Sequence, residues 1–250
     1  MLRLAAFLQR LPLLNRLVPS VKKRYARLMW PNGFTIARAK SAWFLLNYDN
    51  YVDRQLAFYG GYEDDRFDYF LGRMLALKCD VFFDVGGNIG YYSIPAALRG
   101  CAKRVVAFEP DRRNIYQFEA NILINGLVDR IELIPKAVSS VAGLVGFAPA
   151  SRTSTGESRV VSHPGAESVE AVTLDQVAPD LIGKSLFFKI DVEGHECEVI
   201  KGAAKLLANN HCLLQIESFS PNDQVLRNLL ESGGFRHLRS AQDDHYFSNH

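Results

Sequence analysis

The sequence of 250 residues is poor in cysteine and has no long apolar run. Its cysteines form no CxxC pair and have no histidine at ligand spacing, so we expect neither a zinc site nor a disulfide framework, and a reducing compartment such as the cytoplasm. No uncharged apolar run approaches the roughly 18 residues of a membrane-spanning helix. With 48% hydrophobic and 22% charged residues, the composition also excludes a disordered chain. The four cysteines are Cys79, Cys101, Cys197 and Cys212.

Acidic residues are missing from the first part of the chain. The formal net charge is only +2, but residues 1–48 contain no Asp or Glu. The remaining residues hold 20 of the 29 basic side chains and all 27 acidic ones, a net charge of −7. The basic residues of the first part are Arg3, Arg10, Arg16, Lys22, Lys23, Arg24, Arg27, Arg38 and Lys40. The sequence therefore predicts a basic extension at 1–50 and a main domain at 51–250.

This basic extension has three interpretations. Its leucines could form a helix that packs on the main domain, or the segment could lie as a basic amphipathic helix on an anionic membrane surface. An Arg-rich, acid-free N-terminus is also typical of a targeting sequence. We predict a helical extension, with peripheral membrane contact through residues 1–48 as a hypothesis. The leucines near helical spacing, which Pro12 and Pro19 interrupt, are Leu4, Leu8, Leu11, Leu14 and Leu17.

From about residue 80, short apolar runs alternate with amphipathic stretches. This alternation predicts an α/β fold with a doubly wound, mostly parallel sheet. The last two strands, Phe235 to Leu238 and His245 to Phe247, are close enough in sequence to form an antiparallel edge, which makes seven strands. Residues 145–172 interrupt the pattern and predict two strands around a polar loop. The predicted parallel strands are Val81–Val85, Arg104–Phe108, Ile131–Ile134, Leu186–Ile190 and Leu213–Glu217, and the predicted helices are 91–99, 112–125, 196–208 and 222–232.

The first of these strands runs into a glycine-rich turn, DVGGNIG at residues 84–90. In an open parallel sheet, ligands bind beyond the carboxyl ends of the strands, where this turn lies. Gly86 and Gly90 are four residues apart, whereas the dinucleotide fingerprint GxGxxG needs its outer glycines five apart. Asp84 at the strand tip suits a ligand with an ammonium or sulfonium group better than a pyrophosphate.

Glu109 closes the second strand, 19 residues beyond Gly90. An acidic side chain at this point can accept hydrogen bonds from both hydroxyls of a ribose. Together with the glycine turn it indicates a nucleoside-bearing ligand. The four-residue glycine spacing favours S-adenosylmethionine over a dinucleotide.

The sequence resembles the FkbM-type methyltransferases in two blocks. The first is DVGGNIGYYS at 84–93 with AFEP at 107–110, and the second is KIDVEGHE at 189–196 with Gly202-Ala203. Gly87 departs from the family, which more often has Ala there. The resemblance spans roughly residues 55–248 and implies a class I, Rossmann-like methyltransferase fold with S-adenosylmethionine as cofactor. The cofactor-binding candidates are Asp84, Gly86, Gly87, Asn88, Gly90, Glu109, Ala137 and Asp191.

Acidic residues also follow the fourth and fifth strands. Asp191 follows the fourth strand and so lies at the same sheet edge as the glycine turn. Glu193 and His195 come directly after Asp191, and Glu217 ends the neighbouring fifth strand. Methyl transfer depends mostly on alignment, and an alcohol acceptor must also lose its proton. We therefore predict that Asp191 orients the acceptor and that His195 or Glu193 is the base. Asp191 and Glu217 are too few ligands for a metal site, and we predict none.

These features predict an S-adenosylmethionine-dependent O-methyltransferase that acts on a hydroxyl of a small molecule, sugar or glycolipid. One alternative is an NAD(P)-dependent oxidoreductase, which the glycine spacing disfavours. Another is a non-catalytic scaffold bound to a membrane or protein, which the set Asp84, Glu109 and Asp191 disfavours. We expect no nucleic-acid partner, because a domain of net charge −7 opposes phosphate binding.

Overall fold

The computed structural model describes residues 24–25, 28–30, 32–151, 153–161, 166–218 and 222–250. Its N-terminal part holds strands β1 (Phe34–Ala39) and β2 (Ala42–Asn47) and helices α1 (Tyr51–Tyr59) and α2 (Asp64–Ala76). There follow β3 (Cys79–Val85), α3 (Ser93–Leu98), β4 (Ala102–Phe108), α4 (Arg112–Ile124), β5 (Ile131–Ile134), β6 (Ala137–Val138), β7 (Gly143–Ala148), β8 (Arg159–Val161) and β9 (Glu167–Val172). The last elements are α5 (Leu174–Val177), β10 (Ser185–Ile190), α6 (Glu196–Lys201), α7 (Ala204–Ala208), β11 (His211–Glu217), α8 (Asn222–Ser232), β12 (Arg236–Ala241) and β13 (Asp244–Ser248).

The central sheet has seven strands in the order β12-β13-β11-β10-β3-β4-β5. Strands β11, β10, β3, β4 and β5 are parallel, and β13 runs antiparallel to both of its neighbours. This confirms the predicted α/β class, the five parallel strands and the antiparallel pairing of the last two. The final strand lies inside the sheet, next to β11, and β12 forms the edge.

Both faces of this sheet are buried, as an almost continuously apolar strand pattern requires. Side chains of neighbouring residues point to opposite faces because the strand period is two. Phe82 and Phe187 pack into one hydrophobic cluster, whereas Phe83 and Phe188 stack in the other, with ring centroids 5.0 Å apart. The carboxyl ends of the parallel strands are thus fixed by packing on two sides.

The described part of the N-terminal extension differs from the helix we predicted. Residues 34–47 form an antiparallel hairpin, in which more buried and more exposed positions alternate along each strand, and the leucine repeat ends before it. Phe44 and Leu46 are fully buried in the same cluster as Phe82. Residues 1–23, which carry the leucine repeat, lie outside the described residues. No helix of the described residues is long and apolar enough to cross a membrane.

Amide side chains of helix α4 form hydrogen bonds with the backbone N–H and C=O groups at the open edge of β2. Gln117, Asn121 and Asn125 follow each other at four-residue spacing and so share one helix face. Asn125 binds the backbone N–H and carbonyl of Trp43, with distances of 2.9 and 2.6 Å. Asn121 accepts a hydrogen bond from the Leu45 N–H at 2.6 Å, and Gln117 donates one to the Leu45 carbonyl at 2.7 Å. These side chains take the place of a third strand.

The other difference lies in the predicted helix 196–208, which the structure divides into α6 and α7. The chain passes so close to Ser139 that a Cβ on Gly202 would lie 2.1 Å from the Ser139 carbonyl oxygen. The Asp175 carboxylate accepts hydrogen bonds from the N–H groups of Lys205 and Leu206, at 3.2 and 2.8 Å, at the start of the second helix.

The 145–172 segment contains the antiparallel strands β7 and β9, which β8 and β6 extend to a four-stranded sheet.

Replacing Asn121 with Ala tests how the hairpin is held. Asn121 is completely buried and also donates to the Ile89 carbonyl in the glycine turn, at 2.9 Å. Asn121→Ala leaves buried backbone groups without partners, so we expect a loss of about 2–3 kcal/mol in the free energy of unfolding, measured by urea denaturation. The control is Glu119→Ala, an exposed position on the same helix, which we expect to change it by less than about 0.5 kcal/mol. Equal effects of the two changes would contradict this role.

Candidate active site

The glycine turn is shaped by contacts that leave no room for a side chain. Gly86 has a φ of +81°, and a Cβ there would lie 1.9 Å from the carbonyl oxygen of Asp191. The N–H groups of Gly86 and Gly87 donate to the carbonyl of Phe108 at 3.0 and 2.9 Å. Gly90 has a φ of +86°, and a Cβ there would lie 2.3 Å from the ring of Phe118. The turn therefore brings the ends of β3, β4 and β10 together.

A cavity of about 490 Å³ opens at these strand ends. Its volume falls in the range of small-molecule and cofactor sites. Of the residues proposed from the sequence, Gly90 does not line the cavity and has a packing role against Phe118 instead. The structure brings all the others together around it: Asp84, Gly86, Gly87, Asn88, Glu109, Ala137, Asp191, Glu193, His195 and Glu217.

Two buried carboxyl groups support the turn. Asp84 accepts a hydrogen bond from the hydroxyl of Ser93, and burial raises the pKa of Asp84 to about 6. The Glu109 oxygens accept the N–H groups of Asn88 and Asp111, both at 2.8 Å, while burial raises the pKa of Glu109 to about 8. The Glu109 Oε1 also accepts from the Asn114 side chain at 3.4 Å, whereas Oε2 keeps a second lone pair, so the side chain both holds the turn and can accept a ligand hydroxyl.

The sequence analysis missed Lys189, a buried ammonium group at the floor of the cavity. Its Nζ lies 3.2 Å from Asp191, 3.7 Å from Glu217 and 3.9 Å from Asp244. Although burial opposes its charge, these carboxylates raise the pKa of Lys189 well above its ordinary value. In the sequence, Lys189 is a charged residue inside the otherwise apolar run 186–190, and this pattern could have identified it as a functional residue. Lysine is almost never fully buried unless it is paired.

Lys189 also bears on the metal hypothesis for Asp191 and Glu217. Its ammonium group is within 4 Å of both carboxylates, where a divalent cation would have to lie. The described residues contain no group of three His, Cys, Asp or Glu side chains arranged to hold a metal ion.

A second missed cation, Arg66, comes from helix α2. It pairs with Glu63 at 2.5 Å and with Asp244 at 2.6 Å. Asp244 is fully buried and also accepts from Gln215 at 2.9 Å. Residues from four separate parts of the chain therefore form one charged network at the cavity, in which the carboxyl groups of Glu63, Asp191, Glu217 and Asp244 outnumber the two cations.

The remaining predicted residues differ in protonation. Burial, followed by repulsion from Asp191, raises the pKa of Glu193 to about 7, and the same two causes raise the pKa of Glu217. Burial lowers the pKa of His195, which favours the neutral imidazole. The His195 Nε2 lies 2.9 Å from the Ser139 hydroxyl. The carboxyl group of Glu193 is thus near the pKa that suits a general base at neutral pH.

The inserted segment covers one side of the cavity. A short 3₁₀ turn, Thr155–Glu157, lines it together with Arg159. The N-terminal part holds this loop, because the Tyr51 N–H donates to the Thr153 carbonyl at 3.0 Å and the Asn50 side chain donates to Thr155. The loop and residues 50–63 therefore close the site from outside the central sheet.

The strand order, the glycine turn after the first parallel strand and the acidic residue ending the second define a class I, Rossmann-like methyltransferase fold. A model of the FkbM methyltransferase domain matches residues 84–237, more than half of the chain. The chain belongs to the FkbM methyltransferase family.

Three similar proteins match the chain over different shares of its length. The hexuronic acid methyltransferase AglP of Haloferax volcanii is 30% identical over 159 residues, and the match covers 61% of this chain and 62% of that protein, less than two thirds of its length. A solved FkbM methyltransferase from Methylobacillus flagellatus KT is 18% identical, with a TM-score of 0.47, over 68% of this chain and 43% of that one. The magnesium protoporphyrin IX methyltransferase of Synechocystis PCC 6803, solved with bound S-adenosylmethionine, is 12% identical, with a TM-score of 0.45, over 80% and 83%.

Proposed function

We propose that the protein is an S-adenosylmethionine-dependent O-methyltransferase that acts on a hydroxyl of a sugar. The observation that carries this proposal is the cavity at the strand ends, where the glycine turn meets Asp84, Glu109 and Asp191. Membership of the FkbM family supports the reaction class. The name of the relative AglP, a hexuronic acid methyltransferase, supports a sugar as acceptor.

The chemistry of the lining residues fits this cofactor. Asp84 and Asp191 offer carboxyl oxygens to an ammonium group and a sulfonium, and Glu109 offers the free lone pair of its Oε2 to a ribose hydroxyl. The Asn88 Oδ1 is buried without a hydrogen-bond partner among the described residues, and Asn88 lines the cavity beside Gly86 and Gly87. When bound, S-adenosylmethionine supplies an electrophilic methyl group at its sulfonium.

The contribution of the protein is to orient the acceptor and to take its proton. Asp191 accepts a hydrogen bond from the acceptor hydroxyl, because the ion pair with Lys189, 3.2 Å away, holds this carboxyl group in place. We assign the role of base to Glu193. Its carboxylate is available at neutral pH, while the imidazole of His195 is held by Ser139.

Binding of the cofactor is the first expected outcome. In isothermal titration calorimetry of the full-length protein, S-adenosylmethionine should bind and NAD(P) should not. Asp84→Asn removes a charge that faces the cofactor, so we expect its affinity to fall at least about tenfold, roughly 1.4 kcal/mol. Glu119→Gln, exposed on α4, is the control and should bind as the unchanged protein does. Nicotinamide binding without S-adenosylmethionine binding would overturn the proposal in favour of an oxidoreductase.

The pH dependence of turnover identifies the base. A carboxyl group with a pKa of about 7 accepts a proton only after it ionises, so kcat/KM should rise as pH increases through about 7. Glu193→Gln should lower kcat/KM by about 10²–10⁴-fold and abolish this limb. The measurement is labelled-methyl transfer to a sugar found in an acceptor screen, and His195→Gln is the comparison. If His195 were the base, the limb would lie below pH 6.5 and would survive in Glu193→Gln, because burial lowers the pKa of this imidazole.

Peripheral membrane contact through residues 1–48 remains a proposal, supported by the absence of acidic residues there. Sedimentation with phosphatidylglycerol vesicles tests it. A truncation at residue 49 would remove the buried Phe44 and Leu46, so the full chain is needed. Replacing Lys22, Lys23 and Arg24 with Gln should weaken vesicle binding about a hundredfold, at roughly 1 kcal/mol per basic residue. The same replacement of the exposed Lys78, Lys184 and Lys205 is the control. Equal sedimentation of both variants would argue against membrane contact.

A further inference from the structure

The acceptor side of the cavity is built partly by residues that precede the family match at 84–237. Tyr51, Tyr62 and Glu63 line the cavity. Tyr51 is 50% exposed, and its ring meets that of Tyr62 edge to face, with centroids 6.3 Å apart. Tyr62 in turn contacts Tyr91 at 6.3 Å. We call Tyr51, Tyr62 and Glu63 the aromatic–acidic wall.

This wall is held rigidly. The Tyr62 N–H donates to the Tyr91 hydroxyl at 3.1 Å, and that hydroxyl donates back to the Tyr62 carbonyl. The Tyr51 N–H is fixed to the Thr153 carbonyl. Glu63 has a φ of +52°, a conformation rare for a residue with a side chain, and its carboxylate is paired with Arg66. A preformed aromatic surface of this kind binds flat apolar faces with little loss of side-chain freedom.

The polar groups around the wall are mostly hydrogen-bond acceptors. Glu63, Glu193, Glu217 and Glu157 bring carboxyl groups to the cavity, in addition to Asp191. Of the cations that line the cavity, Lys189 is engaged by three carboxylates and Lys136 by Glu170 at 2.6 Å, and the third is Arg159. A ligand rich in hydroxyl or ammonium donors satisfies these acceptors, whereas a carboxylate meets charges of its own sign.

We infer that the wall is a sugar subsite that selects a neutral or amino sugar over a uronic acid. The apolar face of the sugar ring packs on Tyr51 and Tyr62, and its hydroxyl or ammonium donors bind Glu63 and Glu217. This inference rests on the proposed function and names its acceptor class. It also separates this chain from AglP, the relative whose name specifies a hexuronic acid.

Three matched probes test the selection: the methyl glycosides of glucose, glucosamine and glucuronic acid. Their affinities for the full-length protein are measured by saturation-transfer NMR and calorimetry, with S-adenosylhomocysteine present. The glucoside and glucosaminide should each bind at least about tenfold more tightly than the glucuronide, because like charges oppose each other across the wall. Equal affinities, tightest binding of the glucuronide or binding of none of the probes would overturn the inference. Cofactor binding, measured separately, decides the proposed function independently.

Substitutions in and outside the wall test whether the wall causes this selection between the glycosides. Glu63→Gln should improve glucuronide affinity relative to glucoside by about tenfold, since one of the opposing charges is removed. Tyr51→Ala should weaken all three probes alike, and Tyr51→Phe should restore them. Glu119→Gln and Tyr116→Ala, exposed on α4 outside this cavity, are the matched controls. Tight glucuronide binding that is lost in Arg159→Gln would show instead that Arg159 recognises a uronate, and would overturn the inference.

Discussion

The site depends on the close approach of Gly86 to the backbone of Asp191. A Cβ at residue 86 would lie 1.9 Å from the Asp191 carbonyl oxygen, so β3 and β10 can meet there only because glycine has no side chain. The Asp191 N–H then donates to the Val85 carbonyl at 3.0 Å, and Phe108 accepts from both Gly86 and Gly87. Three strand ends are fixed relative to one another, and with them Asp84, Glu109 and Asp191.

Burying so many carboxyl groups at one edge has a cost that the network around Lys189 reduces. An isolated buried charge is strongly unfavourable, while a paired and hydrogen-bonded one is tolerated. Lys189 and Arg66 pair with Asp191, Asp244 and Glu63, but the cations are too few to neutralise every carboxyl group. The surplus explains why burial and repulsion raise the pKa of Glu193 to about 7. A carboxyl group able to exchange a proton near neutral pH is thus a consequence of the electrostatics of the floor.

The central sheet and the glycine turn were predictable from sequence because their signals are local. Apolar runs reveal buried strands, and glycines next to a strand end reveal a turn. The hairpin at 34–47 was wrongly taken as part of a helical extension, since its alternating pattern is short and its third partner is the amide face of α4. The break in 196–208 arises from contact with Ser139, which no local pattern contains. Arg66, Lys189 and Asp244 meet only after folding, so spacing along the chain could not associate them.

The proposed function divides the cavity into a cofactor end and an acceptor end, and the residues of these two ends are positioned by different means. The cofactor end is made of strand tips and backbone groups, where a change of one side chain would disturb the sheet itself. The acceptor end is made of the aromatic–acidic wall and the loop at 153–159, and hydrogen bonds from Asn50 and Tyr51 hold this loop to the N-terminal part. Substitutions there alter ring contacts and charge without moving β3 or β10. Asp191 alone belongs to both ends: its backbone fixes the glycine turn while its carboxylate faces the acceptor side. Under the proposed function, the geometry of the cofactor end therefore sets where an acceptor hydroxyl must lie, and the wall selects the molecule that presents it.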